Sequence, residues 1–158
     1  MALVFIRHLP TDYNQRGLLQ GCINTNIIPA AAAIEHKIRQ NCRQLDQLPP
    51  FSHILCSELK RTQQTAEAYG YSASNEPLLN ELDFGIYEGG HRSKMLQAVG
   101  EQWLNQPSTL ILGEPLSRLA ERVEAFFARY QEEHVLSFAH GAWLRAAYSM
   151  HKTAILMP

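Results

Sequence analysis

Met1-Ala2-Leu3-Val4-Phe5-Ile6-Arg7-His8-Leu9-Pro10-Thr11 is the stretch whose reading decides the fold. Its apolar run is short, rich in large and β-branched side chains, and closed by a proline. That is the pattern of a strand buried on both faces, not of a helix. Arg7 and His8 then leave the carboxyl edge of a sheet, where open α/β folds bind their ligands. The pair alone is equally compatible with two solvated polar residues or with chemistry, and the rest of the chain decides between them.

Working outward, residues 11–28 are polar and broken by Gly17 and Gly21, a loop of functional length. Pro29 opens a helix whose apolar side is Ile34, Ile38, Leu45 and Leu48, with Glu35, Lys37 and Arg39 toward water, and Pro49-Pro50 stops it. His53-Ile54-Leu55-Cys56 is a second strand, running at once into a helix entered through Ser57 as cap. Pro77-Leu78-Leu79 is a weaker strand candidate, and residues 80–90 form a glycine- and acid-rich loop at the sheet edge. Residues 91–100 make a short helix and residues 101–113 a loop in which Trp103 is a core plug or a pocket wall. A long helix opens at Pro115 with Leu116, Leu119, Ala120, Val123, Phe126, Phe127 and Tyr130 on one face, a core stripe. Val135-Leu136-Ser137-Phe138 is a buried strand ending at Ala139-His140-Gly141, and residues 142–150 close as a helix. Alternating strands and helices with right-handed crossovers predict an α/β fold, a three-layer doubly wound, mostly parallel sheet with helices on both faces. Such a sheet sets Arg7, His8, Arg61 and His140 along one edge.

The bulk composition bounds the function. With 158 residues, 46% of them hydrophobic, the chain is expected to form one domain over residues 1–158. Lys plus Arg (14) balances Asp plus Glu (15), so no global field draws it to nucleic acid or to an anionic membrane. Cys22, Cys42 and Cys56 lack metal-site or disulfide-scaffold spacing, the N-terminus does not read as a signal peptide, and no stretch is long enough to span a bilayer. A cytoplasmic protein with reduced thiols is the expectation. His36, His53, His91, His134 and His151 show no metal-ligand spacing with a third partner, so they are read as surface or core-edge residues, and neither metal nor cofactor is called for.

Two arginines and two histidines at strand ends and helix starts suit an oxyanion, because guanidinium forks match phosphate geometry and helix N-termini add donors. A neutral histidine in line with phosphorus can also serve as nucleophile, which makes a phosphomonoester the natural guest. These residues resemble the histidine phosphatases of the phosphoglycerate mutase-like superfamily, over almost the whole chain. Arg7-His8 with Thr11 and Asn14 is similar to the family's Arg-His-Gly-x-Thr-x-x-Asn opening, and residues 56–66 to its Ser-x-Leu-x-Arg-Ala-x-Gln-Thr-Ala segment. Residues 80–89 resemble its acid-bearing loop and His140-Gly141 its second histidine. The acid loop and Cys56-Ser57-Glu58-Leu59 also resemble the α-ribazole phosphatases.

The resemblance implies the phosphoglycerate mutase-like fold, His8 as nucleophile, Arg7, Arg61 and His140 as a phosphoryl clamp, and Glu81 as proton donor. Asn14 and Ser57 would add phosphate or leaving-group contacts, with Gly21 along the substrate path. Spacing alone leaves Glu58, Asp83 and Glu88 as rivals of Glu81. The implied partner is a small phosphorylated metabolite, with no nucleic acid and no membrane. Three departures stand out: Leu9 replaces the family's glycine, Thr62 its alanine, and the chain ends at Pro158, soon after the closing helix. Pro10 biases Leu9 toward extended backbone, which leucine adopts without strain. Beside a phosphatase acting through phosphohistidine, two rivals stand: a phosphoglycerate mutase-type transferase, and a decayed protein that binds a phosphorylated ligand without turning it over.

Overall fold

The computed structural model describes residues 2–151 and 155–157. Five strands, β1 (Ala2–Arg7), β2 (His53–Cys56), β3 (Ser74–Asn75), β4 (His134–Ala139) and β5 (Ile155–Met157), lie in the order β3-β2-β4-β1-β5, every pair parallel. The helices are α1 (Asp12–Gln15), α2 (Ala32–Leu45), α3 (Lys60–Ala68), α4 (Arg92–Asn105), α5 (Leu116–Tyr130) and α6 (Gly141–Met150). Side chains alternate across the sheet. Val4 and Ile6 of β1 with Leu136 and Phe138 of β4 meet α2 and α3, whereas Phe5 and Val135 meet α5 and α6. Both faces are thus covered, which is why β1 and β4 read as nearly continuous apolar runs.

The register of β1 on β4 positions the site. Ile6 pairs with Phe138 and Arg7 with Ala139, and the His8 N–H extends the ladder to the Ala139 carbonyl at 3.0 Å. His8 and His140, 132 positions apart in sequence, therefore leave the sheet side by side, their ring centroids 5.3 Å apart. Below them Trp143 packs on Phe5 at 5.3 Å and on Phe126 at 5.5 Å, contacts worth about 0.5–1.5 kcal/mol each beyond area burial, and these seat the start of α6 against β1.

Several boundaries differ from expectation. Residues 77–79 form a 3₁₀ turn and not a strand: Pro77 has no N–H for a ladder, and the Glu76 carboxylate accepts the Leu78 N–H. The edge pairing is made just before it, by Ser74 and Asn75. Helix α2 begins at Ala32, not at Pro29, because Ile27 and Ile28 are still tied down as extended chain by Gln64 and the Pro10 carbonyl. Helix α4 runs past Gly100 to Asn105: one internal glycine costs about 1 kcal/mol, and the packing of Met95, Val99 and Trp103 against the core on either side of it holds the helix together. The predicted loop at 11–28 contains α1, a single turn closed by a Thr11–Asn14 capping box. The edge beside β1 is filled by β5, whose three apolar residues are too few to carry a period.

Candidate active site

His8 is 7% exposed, and its Nδ1 lies 2.8 Å from the Leu9 carbonyl oxygen. A carbonyl can only accept, so Nδ1 carries the proton and Nε2 presents a lone pair. Burial first, then the charges of Arg61 and Arg7, bring its pKa down to about 3 against the Leu9 hydrogen bond, so the ring is neutral in ordinary buffers. Leu9 is buried, its backbone avoids positive φ, and its N–H donates to the Thr65 hydroxyl at 2.9 Å. That hydroxyl in turn donates to the Arg61 carbonyl at 2.6 Å, tying the segment to α3.

Arg61, 1% exposed, is pinned by three acceptors: Gly21 O and Ile23 O, each at 2.8 Å, and His140 Nδ1 at 3.2 Å. Burial lowers its pKa to about 10, which leaves it charged, and among the described residues no carboxylate forms an ion pair with it. Because arginine only donates, His140 Nδ1 accepts and Nε2 carries the proton, which goes to Ser57 Oγ at 2.7 Å. Ser57 Oγ also accepts the Leu59 N–H, so it passes its own proton to Thr62 Oγ1 at 2.8 Å, and Thr62 donates to the Leu59 carbonyl. Thr62 is therefore a working member of this chain of bonds. Ser57 does not cap α3, which starts at Lys60 behind an uncapped Leu59, because its hydroxyl is committed to His140.

Burial, with Arg61, also drives the His140 pKa well below 6.5. Two histidines are then neutral when folded and protonated when unfolded below pH 6.5. Their contribution is fully present above that pH and is lost as pH falls toward the folded values, with a slope of up to about 1.4 kcal/mol per pH unit for each. Urea midpoints are expected to drop between pH 6.5 and 5.5, and His140→Gln should flatten that dependence. Equal slopes in the two proteins would show that His140 is protonated in the fold.

A cavity of about 700 Å³ opens over this group, lined by Arg7, His8, Asn14, Gly21, Arg61 and Glu81 among others. His140 and Ser57 are fully buried behind that wall. The Arg7 guanidinium lies against Gly141, where an added Cβ would sit 3.4 Å from Cζ. Asn14 Oδ1 accepts the Thr11 N–H at 3.0 Å, which orients the amide and leaves Nδ2 as a donor. Gly21 has φ +51°, and a Cβ there would fall 2.0 Å from Glu88 Oε1, so only glycine holds the carbonyl that Arg61 needs.

Glu81, 8% exposed, sits at the N-terminus of α6. Oε1 accepts the N–H groups of Leu82 and Trp143, and Oε2 that of Ala142, all at 3.0 Å. Of the four acids that spacing left in competition, only Glu81 lines the cavity. Glu58 is held by Asn80, Asp83 by Gly85, and Glu88 by Cys22 and Phe84. Beneath the acid loop, Arg122 of α5 grips Glu114 through two bonds of 2.6 and 2.7 Å while its Nη2 reaches the Asn80 and Glu81 carbonyls at 3.5 and 3.4 Å. Burial pushes the Glu114 carboxyl up, but Arg122 and the Asp83 N–H outweigh it and hold the group below the ordinary carboxylate value. The pair fixes both sides of the loop that carries Glu81.

Sequence reasoning missed part of the wall. Lys37, expected toward water, is half-buried and lines the cavity together with Trp103 and the exposed Arg92 and Arg145. Lys37 shares a helix face with Ile34 and Ile38, and that spacing was its available signal. Trp103 is both wall and packing, with Phe84 stacked at 6.3 Å. The other five histidines lie outside the cavity wall; His134 stacks on Phe51 and His151 on Phe127. The described residues hold one group with metal-ligand proximity, Cys22, Asp83 and Glu88, whose carboxylates already accept backbone N–H bonds.

The family model for the histidine phosphatase superfamily (branch 1) matches residues 3–154. The chain belongs to that superfamily. It is 33% identical to the adenosylcobalamin/α-ribazole phosphatase of Escherichia coli K12, over 89% of this chain and 73% of that one. A putative phosphoserine phosphatase 2 of Hydrogenobacter thermophilus is 28% identical over 91% and 75% of the two chains. Among solved structures, a phosphoglycerate mutase from Thermus thermophilus superposes with a TM-score of 0.77 at 29% identity, covering 98% of this chain and 87% of that one. The fold is accordingly the phosphoglycerate mutase-like one. No helix among the described residues is long and apolar enough to cross a membrane.

Proposed function

We propose that this member of the superfamily hydrolyses small phosphomonoesters through a phosphohistidine on His8. The observation that carries the proposal is a neutral imidazole, its Nδ1 proton fixed by Leu9, set in a cavity wall beside two cations that form no ion pair with a carboxylate among the described residues. Arg7, Arg61 and the Asn14 amide meet the peripheral phosphoryl oxygens, and Nε2 attacks phosphorus as the bond to the leaving oxygen breaks. Glu81 gives that oxygen its proton. Oε2, which accepts one N–H bond against two on Oε1, is the oxygen with a lone pair left to carry it. In the second step Glu81 takes a proton from water as the water oxygen bonds to phosphorus and the N–P bond breaks, releasing phosphate. His140 is a positioning residue: it holds the Nε edge of Arg61, and Ser57 holds His140.

Turnover of p-nitrophenyl phosphate is the direct test, and it is expected to survive EDTA and to be inhibited by orthovanadate. Loss of activity in chelator, restored by a divalent cation, would overturn this use of His8 and the arginines. The phosphoglycerate mutase among the structural relatives favours a second reading, in which phosphohistidine returns its group to another hydroxyl. Inorganic phosphate released in a one-to-one ratio with alcohol supports hydrolysis, while phosphate withheld until an acceptor alcohol is added supports transfer.

A further inference from the structure

Trp143 is the largest of the fully buried side chains, and both of its N–H groups are spent on the segment that carries Glu81. Its backbone N–H donates to Glu81 Oε1 at 3.0 Å, and its indole Nε1–H donates to the Leu78 carbonyl at 2.7 Å, three residues upstream of that acid. The ring packs on Phe5 of β1, three residues before His8, and on Phe126 of α5, one helical turn after Arg122. One residue thereby joins the strand of the nucleophile, the helix that bears Arg122 and the turn that leads into the acid loop. Packing alone does not call for an indole: Phe126 and Phe127 fill the same core without an N–H that must find an acceptor. Leu79 and Leu82, both fully buried, hold the segment to the core through apolar contact, which has no direction. The indole bond supplies the direction.

We propose that Trp143 is a positioning residue for the proton donor, its indole bond to Leu78 setting where the Glu81 carboxylate stands relative to His8. The ring fixes Leu78, the residues that follow carry that placement to Glu81, and the Trp143 backbone N–H receives the carboxylate at the start of α6. Removal of the indole N–H leaves the Leu78 carbonyl without its donor and frees the 3₁₀ turn at 77–79 to move, and a displacement of about 1 Å at a reacting group costs on the order of 10² in rate. Trp143 itself stays out of the chemistry: Ala142 and Leu144 line the cavity, and Trp143 between them does not. This inference rests on Glu81 as the proton donor, and the effect it predicts is confined to the step in which that proton is given.

Phenyl phosphate and p-nitrophenyl phosphate are close in shape but differ in the basicity of the leaving oxygen, so the ratio of their kcat/KM values reports proton donation. Trp143→Phe, which keeps a ring and removes the N–H, is expected to lower phenyl phosphate about tenfold further than p-nitrophenyl phosphate, in the same direction as Glu81→Gln and by less. Phe127→Leu loosens the same core through a ring that meets Phe5, Phe126 and His151, and it should lower the urea midpoint while leaving the ratio at its wild-type value. Should Trp143→Phe fail to fold, exchange of indole for benzothiophene removes the N–H at nearly constant shape. The chain has two tryptophans, so Trp103→Phe leaves Trp143 alone, and that protein made with 3-benzothienylalanine is compared with the same protein made with tryptophan. An unchanged ratio in the folded Trp143 protein while Glu81→Gln shifts it overturns the inference and leaves Glu81 as the donor, and an equal shift in Phe127→Leu overturns it too. No shift in Glu81→Gln removes the proton-donor reading itself, and this inference with it.

Discussion

His8→Ala is expected to abolish turnover of p-nitrophenyl phosphate, a loss on the order of 10⁴ to 10⁶, because it removes the atom to which phosphorus is transferred. Arg61→Ala should cost less, roughly 10²–10³ in rate with weakened oxyanion binding, the usual size of losing one preorganised charge-stabilising donor. The order of the two effects is the informative part. Arg61 has three protein acceptors and orients His140, so a purely structural cavity would make Arg61→Ala the more damaging change. Steady-state rates, with urea melts to show that both variants fold, check the order. Near-normal turnover by His8→Ala would end the covalent mechanism. The pH profile adds a second reading: with its pKa near 3, His8 remains a free base down to about pH 4, so an acid limb near 6.5 cannot be assigned to this imidazole.

The fold was legible where burial on two faces leaves a compositional mark. β1 and β4 are such strands, and their ends, Arg7-His8 and Ala139-His140, could be placed together from topology before any coordinates. β3, with two residues, and β5, with three, are too short to show a period, and both lie at sheet edges where packing asks less of the sequence. The start of α2 was misplaced because Pro29 is a good first helical residue, while the bonds that keep residues 27 and 28 extended come from distant Pro10 and Gln64.

In the site, the groups that motif spacing singles out are brought together, although His140 and Ser57 stand behind the wall and not in it. What spacing could not supply is relation. Glu81, Glu58, Asp83 and Glu88 are alike in sequence, and only the N-terminus of α6, more than 50 residues downstream, makes Glu81 different. Arg122 and Glu114 look like an ordinary surface pair until the Asn80 and Glu81 carbonyls appear beside them. Lys37, Arg92 and Arg145 each look like a solvated helix cation, and their shared cavity exists only in three dimensions.

Glu81→Gln is expected to separate the two chemical steps. An alkyl leaving oxygen is strongly basic and must be protonated as its bond to phosphorus breaks, so loading of His8 from an alkyl phosphate needs the acid. The p-nitrophenolate ion departs without a proton. Loss of the carboxyl proton should therefore lower alkyl phosphate turnover by a further factor of about 10² or more relative to the aryl ester, the size of a general acid's contribution. Glutamine keeps one oxygen to accept the Leu82 and Trp143 N–H bonds, but its NH₂ faces the Ala142 N–H, so some local loosening at the start of α6 accompanies the change. Such loosening weakens both substrates alike and cannot produce the difference between them. In the second step the same carboxylate is the base for water, and its absence slows discharge while aryl loading is spared. The variant should then accumulate phosphorylated His8, visible by rapid quench and intact-protein mass measurement at neutral or alkaline pH, where the N–P bond survives. Equal losses for both esters with no adduct would show that Glu81 is not the acid, and the proton would have to come from Asp83, Glu58, Glu88 or solvent.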